Sequence, residues 1–299
     1  MINVFEALTV GEPSIHQGIT LFPIFSSGLT ATDILAFGDS VSIAEKEDAE
    51  VPVLLATNGS AHPVLLAEGD VLHGGRQTRT INVSVLLAPN STVELPVSCV
   101  EAGRWGGGRA FQKADYAVSR EVRRTKSEGV SRNIRARGSK QSDQGEVWGS
   151  IAKQLDQYHV ASSTSSFAAV RESLNDRSDV VGAAEQLISA GPAAGQVGVV
   201  VAYGKAVVSA EVFCSAELLR ANWAPMIRSV LIEGGVSSEG QACVAEANEF
   251  LQSIGRSESV VSPGVGLGDE RHVRSDHLVG QVLEWNSVLV HASAFSLST

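Results

Sequence analysis

The sequence predicts an α+β protein: an N-terminal antiparallel β-sandwich-like or open-barrel region, a helical middle, and C-terminal antiparallel hairpins with two helices. Three observations carry that expectation. The first hundred residues hold short apolar runs broken by Gly, Asn and Pro; the middle turns basic and then amphipathic at helical spacing; the last third mixes hairpin and helix patterns. The chain of 299 residues is 43% hydrophobic and 19% charged, which suits a packed core and excludes a disordered chain. The changes in composition divide it into a β-rich region, 1–103, a basic segment with helices, 104–190, and an α+β region, 191–299, which can equally form one integrated unit.

The strand signals begin with "ITLFPIF" and "VPVLLATN" and continue through "GSAHPVLLAEGD". In "VSVLLAPNSTVELPV", two apolar runs flank Pro89-Asn90-Ser91-Thr92, which predicts a hairpin. Alternation puts Val93, Leu95, Val97, Cys99 and Glu101 on one face. Most of that face is apolar, so it is the buried one, and Cys99 reads first as a small core residue. Glu101 inherits the inward parity where the strand should end. A partly buried carboxylate there needs a partner, and Arg104 is the local candidate.

Gly106-Gly107-Gly108 opens a loop. From Arg104 to Lys140 there are eleven Lys/Arg against Asp115, Glu121 and Glu128, in a chain whose net charge is −10. Such a block is either a solvated segment or an anion-binding patch. Residues Tyr116 to Arg137 form either one long polar helix or a loop ordered by a ligand. In "SDQGEVWGSIAKQLDQYHV", Asp143 caps a helix and Glu146 completes a capping box. Val147, Trp148, Ile151, Leu155 and Tyr158 share its apolar face. A further helix, Ser178 to Ala190, stops at Gly191-Pro192.

In the last third, "GQVGVVVAYGKAVVSAEVF" predicts a hairpin turning at Tyr203-Gly204-Lys205. Helices follow over Ala216 to Leu231 and Ser238 to Ile254, the second with Cys243, Ala247, Phe250 and Ile254 on one face. "HLVGQVLEWNSVLVHASAF" predicts a closing hairpin with Trp285-Asn286-Ser287 at its turn. No fixed-period repeat is present, which excludes a solenoid or propeller.

Several function classes drop out. No apolar run approaches the ~18 residues of a spanning helix, and "MINVFEALTVGEPS" lacks a signal-peptide pattern. Cys99, Cys214 and Cys243 give neither metal spacing nor a disulfide framework, so a cytoplasmic location is expected. The net charge argues against general affinity for nucleic acid or an anionic membrane. The glycine run lacks the Gly-Lys-Ser/Thr ending of a nucleotide-triphosphate loop, and neither Gly-x-Ser-x-Gly nor a kinase signature occurs. His272 and His277, with His291, Asp269, Glu270 and Asp276, match no established metal spacing, so no metal is assigned.

What remains is a set of polar groups among strands. Gln77, Arg79 and Asn82 interrupt an apolar region, and Arg79 offers a planar fork to phosphate or carboxylate. Arg104 and Arg109 flank a glycine run whose N–H groups can approach an anion, and Trp105 can stack on a base or sugar. Cys99 is a weak nucleophile candidate, because no base or cation is visible beside it.

Taken together, "LLAEGDVLHGGRQTRTINVSVLL", "LPVSCVEAGRWGGGRAF", "SDQGEVWGSIA" and "LVGQVLEWNSVLVHASAF" resemble a bacterial family, the ADP-ribosylglycohydrolase-and-rhodanese-phosphatase-associated proteins. The likeness runs from Phe5 to Phe295. The family's recurring residues fall on Glu68, Gln77, Arg79, Asn82, Pro96, Ser98, Cys99, Glu101, Arg104, Trp105, Asp143, Gln144 and Trp148. The chain departs from the pattern at "EGD" and "GGRQTR", where "EGE" and a "GAKQNR"-like string are expected. The resemblance implies a link to ADP-ribose or phosphate-ester metabolism.

The resulting expectation is a protein that binds a phosphorylated nucleoside-type ligand related to ADP-ribose, with the question whether it also hydrolyses that ligand left open. Glu101 is the candidate general base, with Cys99 behind it. Glu68, Gln77, Arg79, Asn82, Arg104, Trp105 and Gln144 are the candidate ligand-binding residues, and the sequence specifies no cofactor. The alternative is a non-catalytic module that docks through residues 104–140 on an acidic protein or, ranked below it, nucleic acid.

Overall fold

A barrel closes where the sequence places its densest run of short apolar strands. The computed structural model describes residues 4–16, 18–28, 33–48, 50–104, 106–174, 178–233 and 240–298. After a 3-10 turn at Val4–Ala7 come strands β1 (Leu8–Val10), β2 (Ser14–His16), β3 (Ile19–Ser26), β4 (Leu35–Ala36), β5 (Val41–Ala44) and β6 (Val53–Asn58). They continue with β7 (Val64–Leu66), β8 (Asp70–Gly74), β9 (Arg79–Ile81), β10 (Val85–Leu87), β11 (Ser91–Cys99) and β12 (Ala110–Ala117). The helical middle is α1 (Arg120–Arg137), α2 (Gln144–Gln157), α3 (Phe167–Leu174) and α4 (Ser178–Ala190). The last third holds β13 (Gln196–Tyr203), β14 (Ala206–Phe213), α5 (Ala216–Glu233), α6 (Val244–Arg256), β15 (Glu258–Pro263), β16 (Asp269–Arg274), β17 (Leu278–Trp285) and β18 (Val288–Ser296).

The α+β class and the N-terminal barrel are therefore as expected, and the barrel is closed. Its strands run β11-β6-β5-β12-β8-β9, and β10-β7-β4 form a separate three-stranded sheet. A nine-stranded antiparallel sheet takes the order β1-β3-β13-β14-β18-β17-β16-β15, with β2 on β3. Residues from the two ends of the chain thus share one sheet, with Phe22 opposite Val200.

Strand alternation sorts the large sheet's two faces. Val199, Val201 and Val290 pack under α4 and α5 with Leu187, Leu219, Trp223 and Ile227. Val200, Ala202 and Val282 face the other way, onto Ala247, Leu251 and Ile254 of α6. The barrel's core joins Ile43, Leu54, Leu72, Ile81, Leu95 and Val97 to Val130 and Ile134 of α1.

Three expectations change. The two runs of Val83–Val97 do not form a hairpin: β10 pairs with β7, and β11 pairs with β6 and β9. The buried Asn58 side chain explains the turn between them, since Nδ2 donates to His62 O and Ala88 O and ties this corner to the end of β6. Residues Tyr116 to Arg137 divide between the end of β12 and α1, because Ser119 caps the helix by accepting from Val122 N. The second C-terminal helix starts at Val244, and the Ser238 start lies outside the described residues. The turns at Tyr203–Ala206 and Trp285–Val288 fall at the expected places.

Candidate functional site

At one end of the barrel, the chain leaving β11 folds back over the β8–β9 connection. Glu101 sits just past the strand, 7% exposed, and bridges to Ser166 ahead of α3. Its Oε2 accepts from Thr78 N (3.2 Å), Thr78 Oγ1 (3.0 Å) and Arg104 Nε (2.8 Å). Among the described residues, Oε1 accepts nothing. Burial alone would raise this carboxyl, but Arg104 and the two Thr78 bonds outweigh it and hold Glu101 below its ordinary value. It is an ionised carboxylate with one open oxygen, better suited to orienting a hydroxyl than to strong base catalysis.

Arg104 is a loop clasp. Beyond Glu101, its Nη1 donates to Gly75 O (3.0 Å) and Gly106 O (2.9 Å), and Nη2 reaches Gly74 O at 3.3 Å. Its fork is spent on the two loops. Arg76 and Arg109 belong to the same loops and are exposed. The Arg76 N–H donates to Glu45 Oε1, and Arg109 Nη2 donates to Glu45 O. Neither guanidinium pairs with a carboxylate among the described residues. Gly106, Gly107 and Gly108, immediately before Arg109 in the chain, are exposed, and Gly107 lies against Gly75 O, one residue before Arg76.

Beneath this mouth the other candidates form a connected set. Arg79, 2% exposed, donates from Nη1 to Gln77 O and Oε1, lies 4.0 Å from Glu45 Oε1, and leaves Nε unpartnered. Cys99 donates from Sγ to Gln77 Oε1 at 3.1 Å, and Gln144 exchanges two 2.8 Å bonds with the Cys99 backbone. Cys99 is 0% exposed, and burial, only partly opposed by Arg79, pushes its thiol up to about 11. The strand parity that made it a core residue is what the fold uses. Gln144 works as a surrogate strand, and Asp143 caps α2 by accepting from Glu146 N. Trp105 lies outside the described residues.

Glu68 and Asn82 lie apart from the mouth. Asn82 ties Ser98 Oγ to Lys140 O. Glu68 is fully buried, held by Arg123 (2.5 Å) and Lys126 (2.5 Å) of α1. Burial would raise its carboxyl, but the two cations outweigh burial and lower it. Most of the basic block is therefore paired within the chain, while Arg109, Arg132, Arg135 and Arg137 are exposed. Arg104, Lys113, Arg120, Arg123, Arg124, Lys126, Arg132, Arg135 and Lys140 all pair with carboxylates of this chain.

Sequence reasoning missed two groups. The first is His73 on β8, whose Nε2 lies 2.8 Å from Tyr116 Oη, close enough to the mouth for Glu101 and Arg104 to act on it. Its sequence position, three residues before Arg76, was the available signal. The second is a buried relay. Glu211 binds Arg123 and, at 3.2 Å, His291 Nε2, while His291 Nδ1 lies 2.7 Å from Ser84 Oγ. Glu211 is ionised and only accepts, so Nε2–H donates to it, and Ser84 Oγ also accepts from Glu68 N. Its connectivity is that of a nucleophile relay, but Ser84 is 1% exposed, sealed between barrel and sheet. His272, by contrast, bonds Glu270.

A cavity of about 500 Å³ lies elsewhere, between the N-terminal 3-10 turn, the end of α6 and strands β15 to β17. Phe5, Ile254 and Val282 line it beside the Arg271–Glu284 ion pair, and none of the mouth's groups reaches it. The mouth has the titratable cluster and the spare cations, which is why the candidate site is placed there.

The fold and this site define an α+β protein in which a closed barrel, braced by helices against an open antiparallel sheet, presents a cationic, glycine-lined mouth. The chain belongs to the ARPP-1 family: the model of the ARG and Rhodanese-Phosphatase-superfamily-associated Protein domain matches residues 7–295. No curated protein and no solved structure matches it.

Proposed function

We propose that the barrel mouth binds a phosphorylated nucleoside-type ligand related to ADP-ribose. The observation that carries this reading is the pair of exposed guanidiniums, Arg76 and Arg109, with no carboxylate partner among the described residues, beside the exposed Gly106–Gly108 backbone. Paired charge-assisted bonds from such groups favour phosphate. Arg104 ties the two loops together, and Gln77, Arg79 and Gln144 form the connected set beneath them. Glu101 Oε1 is the acceptor for a ribose hydroxyl, and Trp105 is the candidate ring for the base. The family's name, with its ADP-ribosylglycohydrolase association, supports ADP-ribose as the model ligand.

A docking module built on residues 104–140 draws less support, since most of that segment's cations are neutralised within the chain. Thermal melting with ADP-ribose, ADP, ribose 5-phosphate and pyrophosphate tests the binding reading. Stabilisation by at least one of them is expected, reaching about 2.7 kcal/mol at a ligand concentration a hundredfold above Kd. Arg76→Ala combined with Arg109→Ala should abolish it. No shift across the panel would sink the reading.

A further inference from the structure

Next to the mouth stands a side-chain pair that binding alone does not use. His73 is the penultimate residue of β8, two residues before Gly75, whose carbonyl Arg104 clasps. Its Nε2 meets Tyr116 Oη at 2.8 Å, which fixes the ring, and Nδ1 has no hydrogen-bond partner among the described residues. Tyr116 packs edge-on against the imidazole, and Arg171 of α3 lies over the phenol ring, 5.0 Å from its centroid. The charged groups facing His73 are Glu101 and Arg104 of the loop, Asp115 of β12 and Arg171 of α3. Burial is the largest influence on the ring and lowers its pKa, so it stands neutral at pH 7, with a lone pair to offer.

We infer that the mouth is hydrolytic, with His73 Nδ1 taking the proton of a water whose oxygen attacks phosphorus in a nucleoside diphosphate ester. The inference rests on the binding reading above. In the step, a new P–O bond forms to the water oxygen and the bond from that phosphorus to the bridging oxygen breaks. The bridging oxygen's electron pair leaves with the departing phosphate monoester, and the proton passes from His73 to solvent. Nδ1 accepts in the tautomer whose Nε2–H donates to the Tyr116 oxygen, and Tyr116, by holding Nε2, is a positioning residue. Glu101 Oε1 orients the water or an adjoining hydroxyl, and Arg76 and Arg109 offset charge on the phosphoryl oxygens.

Chemistry favours phosphorus over a glycosidic carbon. The usual cleavage of a glycoside uses a carboxylic acid that gives a proton to the leaving oxygen. Glu101 is held ionised by Arg104 and Thr78 and has none to give. A phosphate leaving group needs no proton, and guanidinium charge is what this mouth supplies.

The test uses ADP-ribose as the probe, in ¹⁸O-labelled water, with nucleotide products separated by chromatography. The expected result is AMP and ribose 5-phosphate, with the label on a phosphate. His73→Gln should slow turnover by about 10²–10⁴-fold while keeping the ADP-ribose melting shift. A melting shift without turnover would overturn the hydrolysis inference and leave the binding reading standing. Neither shift nor turnover would overturn both. Unchanged turnover in His73→Gln, or AMP and ribose 5-phosphate formed with no label on either phosphate, would also overturn it. If His73→Gln does not fold, Tyr116→Phe decides: the acid limb of its pH–rate profile should move relative to wild type, and an unmoved limb counts against His73 as the base.

Discussion

Arg123 grips Glu211 with both prongs of its guanidinium, Nη1 lying 2.9 Å from Oε2 and Nη2 3.0 Å from Oε1. The same group reaches Glu68 from Nε at 2.9 Å. One residue of α1 therefore joins the barrel, through Glu68, to the large sheet, through Glu211. Phe295 of β18 lies under it, 5.1 Å from ring centroid to guanidinium carbon. The mouth depends on this joint at one remove, since Lys126, one turn further along α1, holds the carbonyls of Ile81, the last residue of β9, and of Asn82 after it.

Removing Arg123 leaves two carboxylates buried without their main counter-charge. Breaking a buried pair from one side costs about 3–5 kcal/mol, so Arg123→Met should destabilise the protein by that order in urea unfolding. The triple change Arg123→Met, Glu68→Gln, Glu211→Gln should recover part of the loss. A single variant that unfolds at the wild-type urea concentration would show that the joint does not contribute to stability.

The same joint sets acid stability. Burial would raise the Glu211 carboxyl, but Arg123 and His291 overcome it and bring the pKa from 4.5 down to about 2. A folded-state pKa below the unfolded one means that the ionised form stabilises the fold. That contribution is complete above about pH 4.5 and is lost as the pH falls towards about 2. Glu68 shifts in the same direction. Unfolding free energy measured from pH 6 to pH 2.5 should fall steeply below pH 4.5. The slope should be shallower in Glu211→Gln, and equal slopes would contradict the assignment.

Local rules read well where the partner is near in sequence. Alternation placed Leu95 and Val97 in the barrel's core and Cys99 among the buried residues, and the spacing of Asp143 and Glu146 marked the start of α2. The Glu101–Arg104 pair was legible because three residues separate its members. The basic block was not, because its counter-charges come from elsewhere: Glu68 lies 58 positions from Lys126, and Glu270 lies 130 positions from Lys140. A charge run looks solvated in sequence whenever its partners are scattered. The β10–β11 turn misled for a related reason. Two alternating runs with a Pro-Asn turn satisfy every local hairpin rule, and only the pairing of β7 with β10 pulls them into different sheets. Ser84 and His291, 207 positions apart, carry no local signal at all.

Thiol chemistry separates the three cysteines. Burial pushes Cys99 up to about 11 and Cys214 up to about 12, and both are buried, whereas Cys243 is exposed ahead of α6. Since the thiolate is the reactive form, iodoacetamide at pH 7.5 should label Cys243 alone in the native protein. Cys99 and Cys214 should follow only in denaturant, as peptide mapping would reveal. Rapid native labelling of Cys99 would revive it as a nucleophile.

The clasp at the mouth can be tested without touching a charge. Gly107 has φ +151°, and a Cβ built there would stand 2.0 Å from Gly75 O and 3.1 Å from Arg104 Nη1. Any side chain at this position collides with the carbonyl that Arg104 holds, so the two loops must separate. Backbone strain of this kind costs about 1–3 kcal/mol, and relief by loop separation breaks the Arg104 bonds to Gly75 O and Gly106 O. Gly107→Ala should therefore lower the melting temperature modestly, leave the barrel's far-UV spectrum intact and abolish the ADP-ribose shift. Gly108→Ala is the matched control, because a Cβ there meets nothing within 4 Å. Should Gly107→Ala keep the full ligand shift, the Arg104 clasp would not be what shapes the mouth, and the site would have to be sought on the Arg76 and Arg109 side alone.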